Sequence, residues 1–410
     1  MPLPLPVRAF NAAGGALRAA GVPIVRLDAA TLCARARRAT GLEDFGDPWF
    51  REPLAVLLDA LEREAALHTL GRVIARADLT RLLENRLRMT DVIARHPEIT
   101  AAPIARPLFV VGLPRTGTSI LHELLAQDPA NRVPMTWEVM HPFPPPERAT
   151  YTSDPRIAAL DRHLAGVDRL LPAFKTMHPM GAELPQECVA LTAHDFASML
   201  FSTTHRVPGY QAWLDRADLR PVYASHRRQL QYLQWRCPAA HWALKSPGHL
   251  WALDALLAEY PDACVVQTHR DPLKVVASLA SLVATLRTMG SDRVDRAAIG
   301  AEWTRFLAAG LARAAASRDR WPASVPPPFD MQFGEFLRDE IAMVRRIYVH
   351  FGRALSAEAE ARMRCFLATN PRDKHGTHRY TLADAGLDPA VERARYAAYQ
   401  ARFAVPSEGA

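Results

Sequence analysis

Gly112, Gly117, Thr118 and Ser119 stand in the spacing G-x-x-x-x-G-T-S, and Arg115 lies between the two glycines. Residues of these types at this spacing hold an anion. The glycines let backbone N–H groups close around a phosphate-like group, and the hydroxyls add further donors. A helix starting at Thr118 contributes the positive end of its dipole. Nucleotide-hydrolysing loops of this spacing carry Lys where Thr118 stands, and that Lys reaches the β- and γ-phosphates. Here the cation comes earlier, as Arg115, and no convincing acidic partner for Mg²⁺ follows. The loop reads as a metal-free anion site made of amides, hydroxyls and one internal cation.

The elements that must position this loop are legible on both sides of it. Leu108-Phe109-Val110-Val111 is an apolar run of buried-strand type, and 118–127 reads as a helix. Two similar units follow. His241-Trp242-Ala243-Leu244 is a strand closed by Lys245, with Ser246 as N-cap and Pro247 at the first helical position of a helix to about Tyr260. The run 263–268 is a strand that ends in Arg270, and Asp271-Pro272 opens a long helix to about Met289. A further strand is expected over 329–333. Strands alternating with helices predict an α/β fold of three layers with a central parallel sheet. Residues 1–100 read as a helical extension packing on the core, with stripes such as Leu54, Leu57, Leu58 and Leu61. The domain proper is expected over 101–410, with a Pro-, His- and aromatic-rich helical insertion at about 130–240.

Leu113-Pro114-Arg115-Thr116-Gly117-Thr118-Ser119 resembles the 5′-phosphosulfate loop of sulfotransferases that use 3′-phosphoadenosine 5′-phosphosulfate (PAPS), with Arg115 where many members have Lys. Three further places extend the resemblance over about 107–380, toward bacterial members with a helical N-terminal extension. Arg270, at the end of a strand, and Ser278, eight residues on, are similar to the family's 3′-phosphate site. Lys245 is similar to the Lys that contacts the transferred group, and a point charge on a flexible stem suits an oxygen whose charge changes. Lys374 and His375, in the basic stretch 370–380, resemble a late loop that closes over the nucleotide. The resemblance implies a P-loop-type fold, PAPS as donor, and catalytic roles for Arg115 and Lys245. It also implies donor contacts from Pro114, Thr116, Gly117, Thr118 and Ser119.

An acceptor hydroxyl must lose its proton, so a base is expected. The candidates are Glu138, His178, Glu183, Glu187 and His249. Glu138 is preferred, because some family members place a catalytic Glu at a similar distance after the loop helix. The others are assigned to the acceptor site. Phe143, Phe174, Met177, Met180, Phe196, Tyr210 and Trp213 are numerous enough to line an apolar cavity within the insertion. An apolar or aromatic hydroxylated small molecule is the expected acceptor. Two other classes stay open: a P-loop kinase or NTPase, opposed by Thr118, and a non-catalytic binder of adenosine bisphosphate, which a core-like fate for Lys245 would favour.

Composition narrows the setting. The 410 residues carry a net charge of +7, and only four of the 50 basic residues are lysines, Lys175, Lys245, Lys274 and Lys374. This balance suits an anionic ligand. The arginines are scattered, with no zinc spacing or RNA-binding signature, so nucleic acid is not expected as a partner. The five cysteines are widely spaced and odd in number, which fits free thiols in a reducing compartment. No run of 18 apolar residues is present. The expectation is a cytoplasmic protein without an integral membrane segment.

Overall fold

The computed structural model describes residues 4–22, 24–170, 180–238, 240–371 and 381–408. Five parallel strands, β1 (Leu108–Gly112), β2 (Asn131–Arg132), β3 (His241–Lys245), β4 (Cys264–His269) and β5 (Phe329–Gln332), form one sheet in the order β2-β3-β1-β4-β5. All five residues of β1 and all six of β4 are buried, as expected of strands covered by helices on both faces. The predicted α/β class and central parallel sheet are therefore present. The sequence reading did not include the two-residue β2 or the helix Arg296–Asp319.

Register carries the functional residues to one edge. Val110 pairs with Lys245, Gly112 with Thr268, and His269 with Gln332. The chain order changes direction at β1, whose neighbours are β3 and β4. The loop after β1, Lys245 and Arg270 thus gather at the carboxyl ends of the strands, where open α/β sheets bind ligands. Both predicted helix starts are formed: Ser246 Oγ accepts from the Gly248 N–H and Asp271 from the Leu273 N–H, each with Pro at the first position. The first of these runs as a 3₁₀ turn, Pro247–Trp251, before the helix Leu253–Glu259.

The first hundred residues form the helices Leu5–Ala19, Ala29–Thr40, Arg51–Arg63 and Thr69–Arg95. Leu54, Leu57, Leu58 and Leu61 are buried in a hydrophobic cluster that also takes in Phe196, Phe201, Tyr210 and Val222 of the insertion. The extension and the insertion therefore share one core. Glycine makes a close approach possible at the edge of this unit: a Cβ on Gly71 would lie 2.2 Å from the Gly290 carbonyl oxygen.

Candidate functional site

The loop after β1 is shaped by contacts with the neighbouring strand. Gly112 has φ +152, and a Cβ there would sit 2.0 Å from Thr268 Oγ1. Gly117 has φ +86, the left-handed region that glycine enters without strain. Thr116 is fully buried; its hydroxyl donates to the Leu113 carbonyl at 2.6 Å and meets Thr268 Oγ1 at 2.5 Å. That side chain clamps the loop to β4. Arg115 is exposed with φ +67, and its carbonyl accepts from Arg270 at 2.9 Å. The helix Thr118–Leu125 starts directly after Gly117.

Lys245 is buried, and its charged end is met by polar partners. Its ammonium donates to Ser119 Oγ at 3.2 Å and pairs with the Glu187 carboxylate. Behind it, burial first and the Lys245 charge second hold His122 down to about 3, so that imidazole is neutral and bonds the Ala243 carbonyl. A charge-assisted pair next to the anion loop fits a site where charge develops during reaction.

Arg270 already holds an anion. Its guanidinium donates to both oxygens of the Glu408 carboxylate, at 2.8 and 2.9 Å, and stacks on Phe333 at 4.2 Å. This forked geometry is one in which Arg can also bind phosphate. Nothing in the sequence pointed to Glu408. Ser278 is buried on the helix Pro272–Arg287, which begins two residues after Arg270. Lys374, His375 and His178 lie outside the described residues, as do Phe174 and Met177.

A cavity of about 520 Å³ runs away from the loop. Pro114, Arg115, Gly117, Thr118, Ser119, Glu187 and Arg270 line one end, and the rest is mostly aliphatic. Its walls include Leu61, Ile74, Leu79 and Leu82 of the extension, Val189 and Leu200 of the insertion, and Leu279, Leu282 and Leu286. Of the aromatic and sulfur side chains expected to line it, Met180 does. Phe196 and Tyr210 are core, Phe143 is exposed, and Trp213 packs on Trp49. The lining thus draws on the N-terminal helices, which the sequence had suggested only as packing. Nothing in a helical stripe tells a cavity wall from a core face.

Glu138 has another task. It is buried, and its carboxylate takes a hydrogen bond from the Met135 N–H at 3.0 Å, one from the Tyr151 hydroxyl at 3.1 Å, and an ion pair from Arg132. Burial pushes its carboxyl upward, against the pull of Arg132. It does not line the cavity. His249 is likewise buried, bonded through Nδ1 to the Tyr223 hydroxyl at 2.7 Å and set edge-on to Phe109. Glu183 is exposed and off the cavity wall. Among the described candidates, Glu187 alone is both on that wall and beside Lys245.

The Glu138 assignment makes a prediction. Glu138→Gln breaks a buried ion pair and should cost about 3–5 kcal/mol of stability, read as a lower Tm. Turnover per folded molecule should stay near normal at low temperature. A hundred-fold loss of turnover at unchanged Tm would return Glu138 to the chemistry.

Residues 107–357 match the family described as "Sulfotransferase family". The crystal structure of sulfotransferase STF1 from Mycobacterium tuberculosis H37Rv superposes with a TM-score of 0.81 and 37% identity, covering 90% of this chain and 98% of that one. Sulfotransferase STF9 from Mycobacterium avium gives a TM-score of 0.87 and 32% identity, covering 94% and 99%. The omega-hydroxy-beta-dihydromenaquinone-9 sulfotransferase of Mycobacterium bovis is 22% identical over 298 residues, 68% of this chain and 71% of that protein.

Proposed function

The chain belongs to the sulfotransferase family, and from that premise we propose that it moves a sulfuryl group from PAPS to the hydroxyl of a largely apolar small molecule. The observation that carries this reading is one cavity lined by the glycine loop, Arg270 and Glu187 on one part of its wall and by mostly aliphatic side chains elsewhere, with Lys245 buried behind Glu187 and paired to it. The glycine cradle and the forked grip of Arg270 on a carboxylate fit the two anionic ends of the donor. When bound, the donor supplies the activated sulfuryl group.

The loop amides with Arg115, Gly117, Thr118 and Ser119 hold the phosphosulfate, and Arg270 with Ser278 holds the 3′-phosphate. Lys245 stabilises the oxygens at the transfer point. Glu187 accepts the acceptor's hydroxyl proton, a role in which its hydrogen-bonded Lys245 keeps it oriented. In-line positioning and fixed charge supply most of the rate, as in phosphoryl transfer. The named menaquinone-derivative acceptor of the relative above is an apolar molecule with a terminal hydroxyl, consistent with the aliphatic walls. The five cysteines, all free of disulfides, fit a cytoplasmic location.

The test is incubation of the purified protein with sulfur-labelled PAPS and a panel of isoprenoid, steroid, phenolic and sugar alcohols. Label on an apolar hydroxylated acceptor is the expected result. Label found only on sugars, or only as free sulfate, overturns the acceptor class or the transfer itself.

The Glu408 contact gives a second expected outcome. The donor's 3′-phosphate must displace Glu408 from Arg270. Glu408→Gln should lower KM for PAPS about two- to five-fold, the scale of a partly exposed ion pair, and leave kcat unchanged. An unchanged or higher KM would show that the 3′-phosphate does not compete with this carboxylate.

A further inference from the structure

The described residues leave eight large hydrophobic side chains well exposed, and five of them fall within the first 24 residues: Leu5 (74%), Phe10 (45%), Leu17 (45%), Val22 (54%) and Ile24 (47%). Three belong to the helix Leu5–Ala19. Turning this helix at 3.6 residues per turn puts Leu5, Ala9, Phe10, Ala13, Ala16 and Leu17 on one arc of about 140°. All six are exposed. The opposite side is the one that binds the protein. Gly14 is buried against Thr69, Asn11 Oδ1 accepts from the Leu70 N–H at 2.8 Å, and Arg18 pairs with Glu62 at 3.4 Å. The helix is therefore inverted for a surface helix in water: it docks through its polar and small residues and shows its apolar face outward.

Charge selects the occupant of that face. Residues 1–27 contain Arg8, Arg18 and Arg26 and no acidic residue. A two-fold pairing of this helix with a second copy would bring a flank that carries only arginines toward another of the same charge, which is unfavourable. An anionic surface meets no such opposition. A helix with Phe and Leu on one face and Arg at its flank, low in overall hydrophobicity, is the kind that lies in the interface of a bilayer.

Position supports the same occupant. A groove of about 480 Å³ under the helix is lined by Arg8, Arg18, Arg72, Leu67 and Asp292. The turn that forms its floor continues into Gly71 and Ile74, which line the large cavity from the other side. The groove under the helix and the large cavity thus lie against the same helix, Thr69–Arg95.

We infer that the face formed by Leu5, Phe10 and Leu17, with Arg8 at its edge and the exposed Arg26 close behind it in the chain, docks the protein peripherally on an anionic lipid surface. The inference does not rest on the donor or acceptor proposed above, and its test uses neither. Purified protein is sedimented with phosphatidylcholine vesicles with and without phosphatidylglycerol. Binding is expected with phosphatidylglycerol, weakening as salt is raised. The double variant Phe10→Asp/Leu17→Asp should lower the partition coefficient about ten-fold or more, with circular dichroism and Tm unchanged because both side chains already face water. Arg8→Ala/Arg26→Ala should weaken binding mainly at low salt. No binding by the parent protein, or equal binding by the aspartate variant, overturns the inference. A concentration-dependent dimer that the same variant disperses would assign the face to a second copy instead.

Discussion

Lys245→Met should lower kcat by about 10²- to 10³-fold, the measured scale for removing one fixed donor from a developing charge. The methionine keeps the length of the stem, and the backbone of β3 is unaffected because Ser246 N–H still donates to the Val110 carbonyl at 3.2 Å. What disappears is the ammonium between Ser119 and Glu187. KM for the donor should move much less than kcat if the charge acts chiefly on the reacting oxygens. Lys245→Arg should restore only part of the rate, because a planar fork does not replace a point charge at a site built for one. Steady-state kinetics on the two variants checks this. A raised KM with kcat unchanged would mean that Lys245 binds the ground state and has no special role in transfer.

Glu187→Gln should cost about 10²- to 10⁴-fold in kcat, the usual contribution of a positioned proton acceptor. The amide can still take a hydrogen bond from Lys245 but cannot accept a proton. Glu187→Asp should recover a measurable part, since the carboxylate is kept and merely drawn back. Donor binding, followed by calorimetry with adenosine 3′,5′-bisphosphate, should be near normal in both. The comparison with Glu138→Gln is the informative one: both variants break a largely buried ion pair and should lose stability, but only Glu187→Gln should lose turnover per folded molecule. If both keep turnover, the proton leaves by another route.

These two residues show what could and could not be read from the chain. The anion loop was legible because its chemistry is local: glycines, hydroxyls and a cation within eight residues, between a strand and a helix. Lys245 was legible because a strand end followed by Ser-Pro fixes where the residue sits on the sheet edge. The preference for Glu138 rested on distance along the chain from the loop, which says nothing of where a side chain points. Glu138 is the third residue of the short helix Thr136–Met140, and it turns back to its own N-terminus. Glu at that position is a helix-capping signal, and its weight was underestimated. Most of the insertion's aromatic residues are core, which their number alone could not tell. Aromatic residues were counted where aliphatic ones line the cavity, and the aromatic rings instead knit the insertion to the N-terminal helices. That pairing joins segments more than a hundred residues apart, and no local pattern reports it.

The clamp of Thr116 on Thr268 has a consequence for how the protein comes apart. The anion loop has no fold of its own. Its shape is held by a hydroxyl of β4 and by a glycine that fits only while β1 and β4 are in register. Loss of the loop and rupture of the sheet are therefore one cooperative event. The N-terminal helix, held by a glycine contact, one asparagine and an exposed ion pair, belongs to the weakest-held layer. As the temperature rises, that outer helix is released first, and the grip on the anion is kept until the whole sheet goes.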